Sequence, residues 1–456
     1  MHGEIGENAF VLCKLLYIIL AVIIAIRVSI SYKENKRLFL FDYFSIYYVI
    51  SHCLCPFFIL DKINSGAFIA NLMINNDKYQ ILAALATVFV YIVISLTIFL
   101  LNKTTKNKFK PKKTINIFSN RFWVFNTVYL IFLYICLVLW TLHFGSIFGM
   151  FKYATALRDG FMTVDNQFAI LSRFCTAFAL VFYTFLEIAI RDYKNRKQRF
   201  WLTLVLCLLS LLGSVINLIN LDSRSLMIVF VLITAVILYK NKAKKTKVFK
   251  ISFAAIALLI CALCLGVQFK NDDHSAKDET SGNPLIETIT KEYAFIYTNN
   301  INTLYMYNNK IMRGDRIIDN IIEIPFSWMP STMKPKELIN MNEYNTSFHK
   351  EATGELPVNI VSGSIMSIGW IGLLIIPMFY GWLITVLERF FAKRNGLLFY
   401  RIVYLYFGIS VMQSFVTYID IAPILLSLFG LIIYVIMANI ICAEPIKEEH
   451  ADNHKI

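Results

Sequence analysis

Residues 9–31 read AFVLCKLLYIILAVIIAIRVSIS, an apolar run in which only Lys14 and Arg27 carry charge. A helix of this length spans the roughly 30 Å hydrocarbon core of a bilayer. The run is preceded by Glu4 and Glu7 and by no basic segment. We therefore expect a retained membrane helix here, and not a cleaved signal peptide.

Further apolar runs of similar length follow, so the sequence predicts an all-α, polytopic membrane protein with about eleven transmembrane helices. The seventh run is the shortest, and it can span only if it starts near Asp222, which brings Arg224 to the membrane edge. The predicted spans lie near Ala9–Ser31, Phe39–Leu60, Tyr79–Leu101, Phe122–Phe144, Phe168–Ile190, Phe200–Leu218, Leu226–Tyr239, Phe249–Gln268, Ile365–Phe390, Leu397–Val416 and Ile421–Cys442.

The composition agrees with a lipid environment, because 57% of the residues are hydrophobic and only 16% are charged. The net charge of +14 comes from Lys and Arg in short loops, with no nucleic-acid-binding motif beside them. Basic clusters follow every odd-numbered span as far as the ninth, and the alternate loops are poor in them. By the positive-inside rule the N-terminus is outside and the C-terminus cytoplasmic.

Several function classes find no support in the sequence. It has no HExxH, Walker A or GxSxG motif, so a metalloprotease, an ATP-driven pump and a serine hydrolase are not indicated. Cys261 and Cys264 form a CxxC inside a predicted membrane helix, without a second pair. We expect no metal and no other cofactor.

This topology divides the chain into spans 1–8 over residues 1–268, an external loop over 269–362, spans 9–11 over 363–442, and a cytoplasmic tail over 443–456. The loop is too long to serve only as a connector. Its segment Pro284–Asn309 has helical apolar spacing and several tyrosines, which predicts an amphipathic helix lying at the membrane interface. Tyr297 in this segment could anchor the helix at the interface or contact a substrate.

Three arginines are predicted on the same side of the membrane as this loop. Arg173 lies inside the outer half of the fifth span, Arg224 at the outer start of the seventh, and Arg158 in the loop before the fifth. Placing a charge at such a depth costs free energy, so these residues are candidates for function. A guanidinium group can form two parallel hydrogen bonds to the oxygens of a phosphate. The alternative is that each pairs with a local acid, as Arg224 could with Asp222, or reaches the headgroups.

The long loop adds further candidates. Arg313 and Arg316 could form a second anion clamp or a solvated turn, and Lys334 could also bind substrate. His349 and Glu355 are candidates for a general base that takes a proton from a sugar hydroxyl.

Three stretches resemble the Wzy-type polymerases of O-antigen and other oligosaccharide repeat units. They are Asn220-Leu221-Asp222-Ser223-Arg224-Ser225 at a helix entry, a proline-rich loop stretch from Ile324 to Pro335, and a glycine-rich helix entry from Gly363 to Gly372. Phe326 occupies the position where the resemblance implies an arginine. Arg224 therefore becomes the stronger candidate for anion binding.

The resemblance implies a GT-C-like architecture and a metal-independent glycosyltransferase. Its substrates would be undecaprenyl-pyrophosphate-linked oligosaccharides on the outer face of the inner membrane, joined into a surface polysaccharide or O-antigen. Arg173 and Arg224 would stabilise the departing pyrophosphate, and His349 or Glu355 would act as the base. A co-polymerase that sets chain length is an implied partner.

Other functions remain open at this point. An O-antigen ligase would move a finished glycan to lipid A core without extending chains. A polysaccharide flippase or other transporter would have broken helices with charges at mid-membrane. A structural or assembly protein would use the loop as a binding surface.

Overall fold

The structure is a computed structural model, and it describes residues 6–63, 76–104, 113–154, 168–221, 224–240, 284–326, 335, 338–349, 356–392, 394, 397–419 and 421–445. These residues form a helical bundle with one small sheet. The helices are α1 (Glu7–Asn35), α2 (Leu40–Val49), α3 (Cys55–Ile63), α4 (Asp77–Thr104), α5 (Asn120–Leu142), α6 (Ile147–Phe151), α7 (Ala169–Phe174), α8 (Phe178–Lys194), α9 (Phe200–Asn220), α10 (Arg224–Lys240), α11 (Pro284–Asn308), α12 (Ile317–Phe326), α13 (Met341–Thr346), α14 (Ile360–Ile368), α15 (Gly372–Ala392), α16 (Leu398–Tyr406), α17 (Met412–Thr417) and α18 (Ile421–Cys442). The strands are β1 (Lys113–Ile115) and β2 (Ala443–Pro445).

Eight helical segments of the described chain are long and apolar enough to cross a membrane. They confirm a polytopic, all-α membrane protein, and they begin and end close to the predicted spans. Leu226–Tyr239 and Leu428–Cys442 are shorter apolar helical stretches. The predicted eighth span, Phe249–Gln268, lies outside the described residues, so the count of eleven stays a prediction.

Described residues at the ends of α1, α4, α8 and α15 meet at one end of the bundle, which we call the basic end. There, Arg389 Nη2 donates to the carbonyl oxygen of Leu101 at 2.5 Å. Arg37 lies 3.7 Å from Glu388. Strands β1 and β2 pair antiparallel at this end, with Lys113 opposite Pro445. The loop after α4 and the residues after α18 are thus joined by backbone hydrogen bonds.

Four of the membrane helices in the described ranges are interrupted. A π-helical turn, Ile50–Leu54, separates α2 from α3, and a second one, Phe407–Val411, separates α16 from α17. Short 3-10 turns, Cys175–Ala177 and Gly369–Ile371, separate α7 from α8 and α14 from α15. Such turns change which side chains face the interior, and they occur frequently at functional sites.

Helix α11 confirms the predicted helix in the loop, but it does not lie on the surface. Its residues from Ile296 to Leu304 are buried, and it packs against α3, α4 and α14. Tyr305 meets Tyr79 of α4 edge to face, with ring centroids 5.3 Å apart. The expectation of an interfacial helix was wrong for a physical reason: the polar residues of this segment are mostly Asn and Thr, which can be buried when hydrogen-bonded. For example, Asn299 donates to the carbonyl of Pro357 at 2.6 Å.

A buried polar triad joins α5, α8 and α18. Asn126 Nδ2 donates to Thr184 Oγ1 at 2.7 Å, and Tyr434 Oη donates to Asn126 Oδ1 at 2.7 Å. All three side chains are buried. Interhelical hydrogen bonds of this kind hold membrane helices together where lipid removes the hydrophobic driving force. The triad fixes α8 against its neighbours, and α8 forms one wall of the cavity described next.

Candidate active site

A cavity of about 220 Å³ opens between α7–α10, α16–α17 and α18. It lies near the residues that end α9 and α17 and begin α10, towards the end of the bundle opposite the basic end. Its lining is polar for an intramembrane cavity. The polar residues are Arg173, Thr176, Tyr183, Ser214, Asn217, Tyr406, Ser410, Gln413, Ser414, Thr417 and Tyr418.

Arg173 is the only charged residue among those that line this cavity in the described chain. No described carboxylate lies within 4.0 Å of its guanidinium, so its charge is not neutralised by an ion pair there. A cation inside a membrane helix is costly unless it is paired, so Arg173, which has no acidic partner among the described residues, is a candidate for binding an anion.

The backbone around Arg173 is tightly held. Arg173 lies in the last turn of α7, one residue before Phe174, which ends the helix directly before the 3-10 turn Cys175–Ala177. Thr176 Oγ1 donates to the Arg173 carbonyl at 2.9 Å. Helix α18 approaches so closely at Gly430 that a Cβ there would lie 2.6 Å from the same oxygen. The start of the arginine side chain is therefore fixed by packing, as a binding residue requires.

The opposite wall of the cavity is a polar stripe on α16 and α17. Tyr406, Ser410, Gln413, Ser414 and Thr417 all line the cavity. The π turn Phe407–Val411 lies within this stripe and sets which residues face inward. Hydroxyl and amide groups of this kind can donate to and accept from sugar hydroxyls.

Two elements of the long loop lie beside the cavity. Gln413 Nε2 donates to Tyr293 Oη of α11 at 3.3 Å. Helix α12 packs on α18, the helix that contributes Ile424 to the cavity wall. The long loop therefore contacts a residue of the cavity wall within the part of the chain that the structure describes.

Arg224 is the first residue of α10, two residues before Leu226, which lines the cavity. Its side chain lies outside the described part of the structure. Arg158, Lys334 and Glu355 also lie outside the described residues. The convergence of several arginines on one anion therefore stays a prediction.

The loop residues Arg313 and Arg316 lie in a turn that docks on α13 and α14. The side chain of Arg313 is exposed, and its backbone N–H donates to Tyr344 Oη at 3.0 Å. Arg316 Nη1 donates to Asp319 at 2.6 Å, and its guanidinium stacks 4.1 Å from the Tyr344 ring. Arg316 is thus occupied by an ion pair and a cation–π contact, which favours a structural role.

Tyr297 and His349 are both buried. Tyr297 is 0% exposed and meets Tyr17 edge to face, so its ring offers no free face to a sugar. His349 follows α13, and its Nε2 has no hydrogen-bond partner among the described atoms. Burial of the ring lowers the pKa of His349 below its ordinary value. The neutral imidazole, which is the form that can accept a proton, therefore dominates at neutral pH.

Replacing His349 with asparagine is expected to reduce the loss of stability that occurs when the pH is lowered. The folded-state pKa of His349 lies below the unfolded value of about 6.5, so the unfolded chain binds more protons as the pH falls through that value. Wild-type stability should therefore drop from about pH 7 to about pH 5.5, and the variant should lose part of that drop. Thermal unfolding in detergent at the two pH values measures it. The exposed His143, replaced by asparagine, is the control; an unchanged slope in the His349 variant would contradict the assignment.

Sequence reasoning identified Arg173 but missed the facing stripe on α16 and α17. The signal was present: Ser410, Gln413, Ser414 and Thr417 recur at helical spacing within a predicted span. Small polar residues in one membrane helix are common packing residues, so their spacing alone does not indicate a cavity.

The arrangement combines one fixed cation with many neutral hydrogen-bonding groups at the edge of a membrane bundle. It can stabilise a phosphate-bearing leaving group and hold sugar hydroxyls. Within the described residues, no group of three or more His, Cys, Asp or Glu side chains is placed to hold a metal ion. No protein-family model, curated protein or solved structure matches this chain.

Proposed function

We propose that the chain is a polymerase of lipid-linked oligosaccharide repeat units, a glycosyltransferase that acts at the outer face of the bacterial inner membrane. The observation that carries the proposal is Arg173, a cation without a described acidic partner in a polar cavity. The resemblance of Arg224 and the Pro-rich and Gly-rich stretches to Wzy-type polymerases supports it.

In this proposal the growing glycan is bound to undecaprenyl pyrophosphate, and its first sugar is attacked by a hydroxyl of the next lipid-linked unit. The bond from the anomeric carbon to the pyrophosphate oxygen breaks as the new glycosidic bond forms. Arg173 and Arg224 stabilise the negative charge on the leaving pyrophosphate. His349 or Glu355 takes the hydroxyl proton. The polar stripe with Ser410 and Gln413 holds sugar hydroxyls.

The leaving group is already activated on its lipid, so the proposed reaction draws on neither a nucleotide nor a metal. The partners are undecaprenyl-pyrophosphate-linked oligosaccharides, membrane lipid and a co-polymerase that limits chain length. With the basic end cytoplasmic, the N-terminus is outside and the cavity faces the outer leaflet, where flipped repeat units arrive.

A second candidate, transport of a lipid-linked or anionic glycan, is favoured by the interrupted helices. A larger cavity of about 1390 Å³ lies at the basic end and is lined by α8, α10 and α16, which also border the cavity of Arg173. Two cavities on opposite sides of shared, broken helices are an arrangement that transporters use.

A reconstituted reaction distinguishes these functions. The purified full chain is incubated in proteoliposomes with undecaprenyl-pyrophosphate-linked repeat units, and the products are separated on a gel. A polymerase yields a ladder of longer lipid-linked chains. A ligase requires added lipid A core and gives no extension, and a transporter moves labelled substrate across the membrane without changing its length. Absence of a ladder, with substrate translocation observed, would refute the polymerase.

A further inference from the structure

The basic end carries a second cavity that has no part in the proposed reaction. This groove has a volume of about 730 Å³ and lies between the last turns of α1, α4 and α15 and the start of α2. Its polar floor contains Arg27, Arg37, Asp42, Glu388 and Arg389. Part of its wall is apolar. It includes Leu96 and Phe99, both 54% exposed.

One oxygen of each acid in the floor accepts hydrogen bonds from protein donors. Asp42 accepts from the Phe39 N–H at 2.8 Å and from Ser31 Oγ at 2.9 Å, and it pairs with Arg27 at 3.0 Å. Glu388 accepts from the Leu40 N–H at 2.8 Å and from Tyr404 Oη at 2.9 Å. Asp42 Oδ2 and Glu388 Oε2 are therefore held by groups at the helix joint between α1 and α2.

Two of the three arginines keep unused donors. Arg27 is fully engaged, since it bonds Ser45 at 2.8 Å and stacks on Phe41 at 4.1 Å. Arg37 lies 3.7 Å from Glu388, which is too far for a hydrogen bond, and its side chain is 35% exposed. Arg389 makes one bond, to the Leu101 carbonyl, and it has no acidic partner among the described residues. A guanidinium has five N–H donors, so Arg37 and Arg389 can both bind a phosphate.

From this geometry we propose that the groove is a binding site for one anionic phospholipid, of the phosphatidylglycerol type. The phosphodiester lies between Arg37 and Arg389, and an acyl chain runs along Leu96 and Phe99 towards the middle of the bundle. The groove has the polarity gradient of such a lipid, with cations at headgroup depth and exposed apolar side chains at chain depth. Basic pockets between membrane helices bind anionic headgroups in this way. The lipid joins α1, α4 and α15 at the end of the bundle where they separate.

The test uses delipidated full-length protein in detergent, titrated with phosphatidylglycerol or with phosphatidylcholine of the same chains. Thermal unfolding and lipid retention in native mass spectrometry are measured. Phosphatidylglycerol should raise the Tm saturably, with one lipid retained per chain, and phosphatidylcholine should not. Arg37→Gln and Arg389→Gln should each weaken the phosphatidylglycerol midpoint about fivefold. Glutamine at 389 can still donate to the Leu101 carbonyl, so the fold is preserved while the charge is removed.

The matched control is Arg394→Gln, because Arg394 lies at the same end but stacks on Phe390, 4.0 Å away, and does not line the groove. It should leave the midpoint unchanged. Equal responses to the two lipids, or a wild-type midpoint in Arg389→Gln, would overturn the proposal. Inorganic phosphate is the third arm: if it produces the same saturable shift as the lipid, the site binds a free anion and the phospholipid assignment is wrong.

Discussion

Arg173→Ala is expected to reduce polymerisation of lipid-linked repeat units by about 100-fold or more, which is the usual effect of removing one fixed donor to a developing negative charge. The guanidinium is the only charged group that lines the cavity in the described chain, so no neighbour there can replace it. The measurement is the rate of chain extension by purified protein. Arg173→Lys should restore part of the rate, because it returns the charge without the two-pronged geometry.

Loss of fold must be separated from loss of chemistry in this experiment. Arg173→Ala removes a charge that has no acidic partner among the described residues, so its thermal stability should be equal to or above that of the wild type. Arg394→Ala, at the other end of the bundle, is the control and should extend chains at the wild-type rate. Full extension by a stable Arg173→Ala protein would remove this residue from the site.

Gly369→Ala should have the largest effect on stability, about 3 kcal/mol or more. Gly369 joins α14 to the turn before α15 with φ of 66° and ψ of −150°, a region that is essentially restricted to glycine. An added Cβ would also lie 2.2 Å from the Tyr307 hydroxyl oxygen. Backbone strain and the clash with Tyr307 both destabilise the variant. Unfolding of the purified protein in mixed detergent measures their combined effect on the free energy of unfolding.

Gly145 provides a matched control for the destabilisation that comes from backbone strain alone. It also has positive φ, 78°, but nothing lies within 4 Å of a Cβ built there. Gly145→Ala should therefore cost only the backbone strain, about 1 kcal/mol. Tyr307→Phe removes the clashing oxygen and should recover part of the loss in Gly369→Ala. If the two glycine variants lose equal stability, packing against Tyr307 contributes nothing.

The membrane helices could be predicted from the sequence because long apolar runs have few alternatives in a bilayer. Segments Phe200–Asn220 and Leu398–Thr417 begin and end within two residues of their predicted limits. The interruptions within helices were not predicted. A π turn such as Phe407–Val411 leaves the hydrophobic run intact, so composition does not reveal it.

The site was predicted in part. Arg173 could be singled out because a charge within an apolar run is conspicuous, and it lines a cavity. Gln413 could not, because its role depends on a contact with Tyr293, 120 positions away in sequence. The burial of Tyr297 was missed for the same reason: its environment is made by α1 and α11 together.

The pairing of β1 with β2 has a practical consequence for membrane topology. Because Lys113 lies opposite Pro445, the residues after α18 leave the bundle on the same side as the loop between α4 and α5. A compartment-sensitive reporter inserted after Pro445 would therefore report on which side of the membrane Arg37, Arg389 and their groove lie. One fusion protein would in this way assign the sidedness of the whole bundle, including the cavity of Arg173 at the other end.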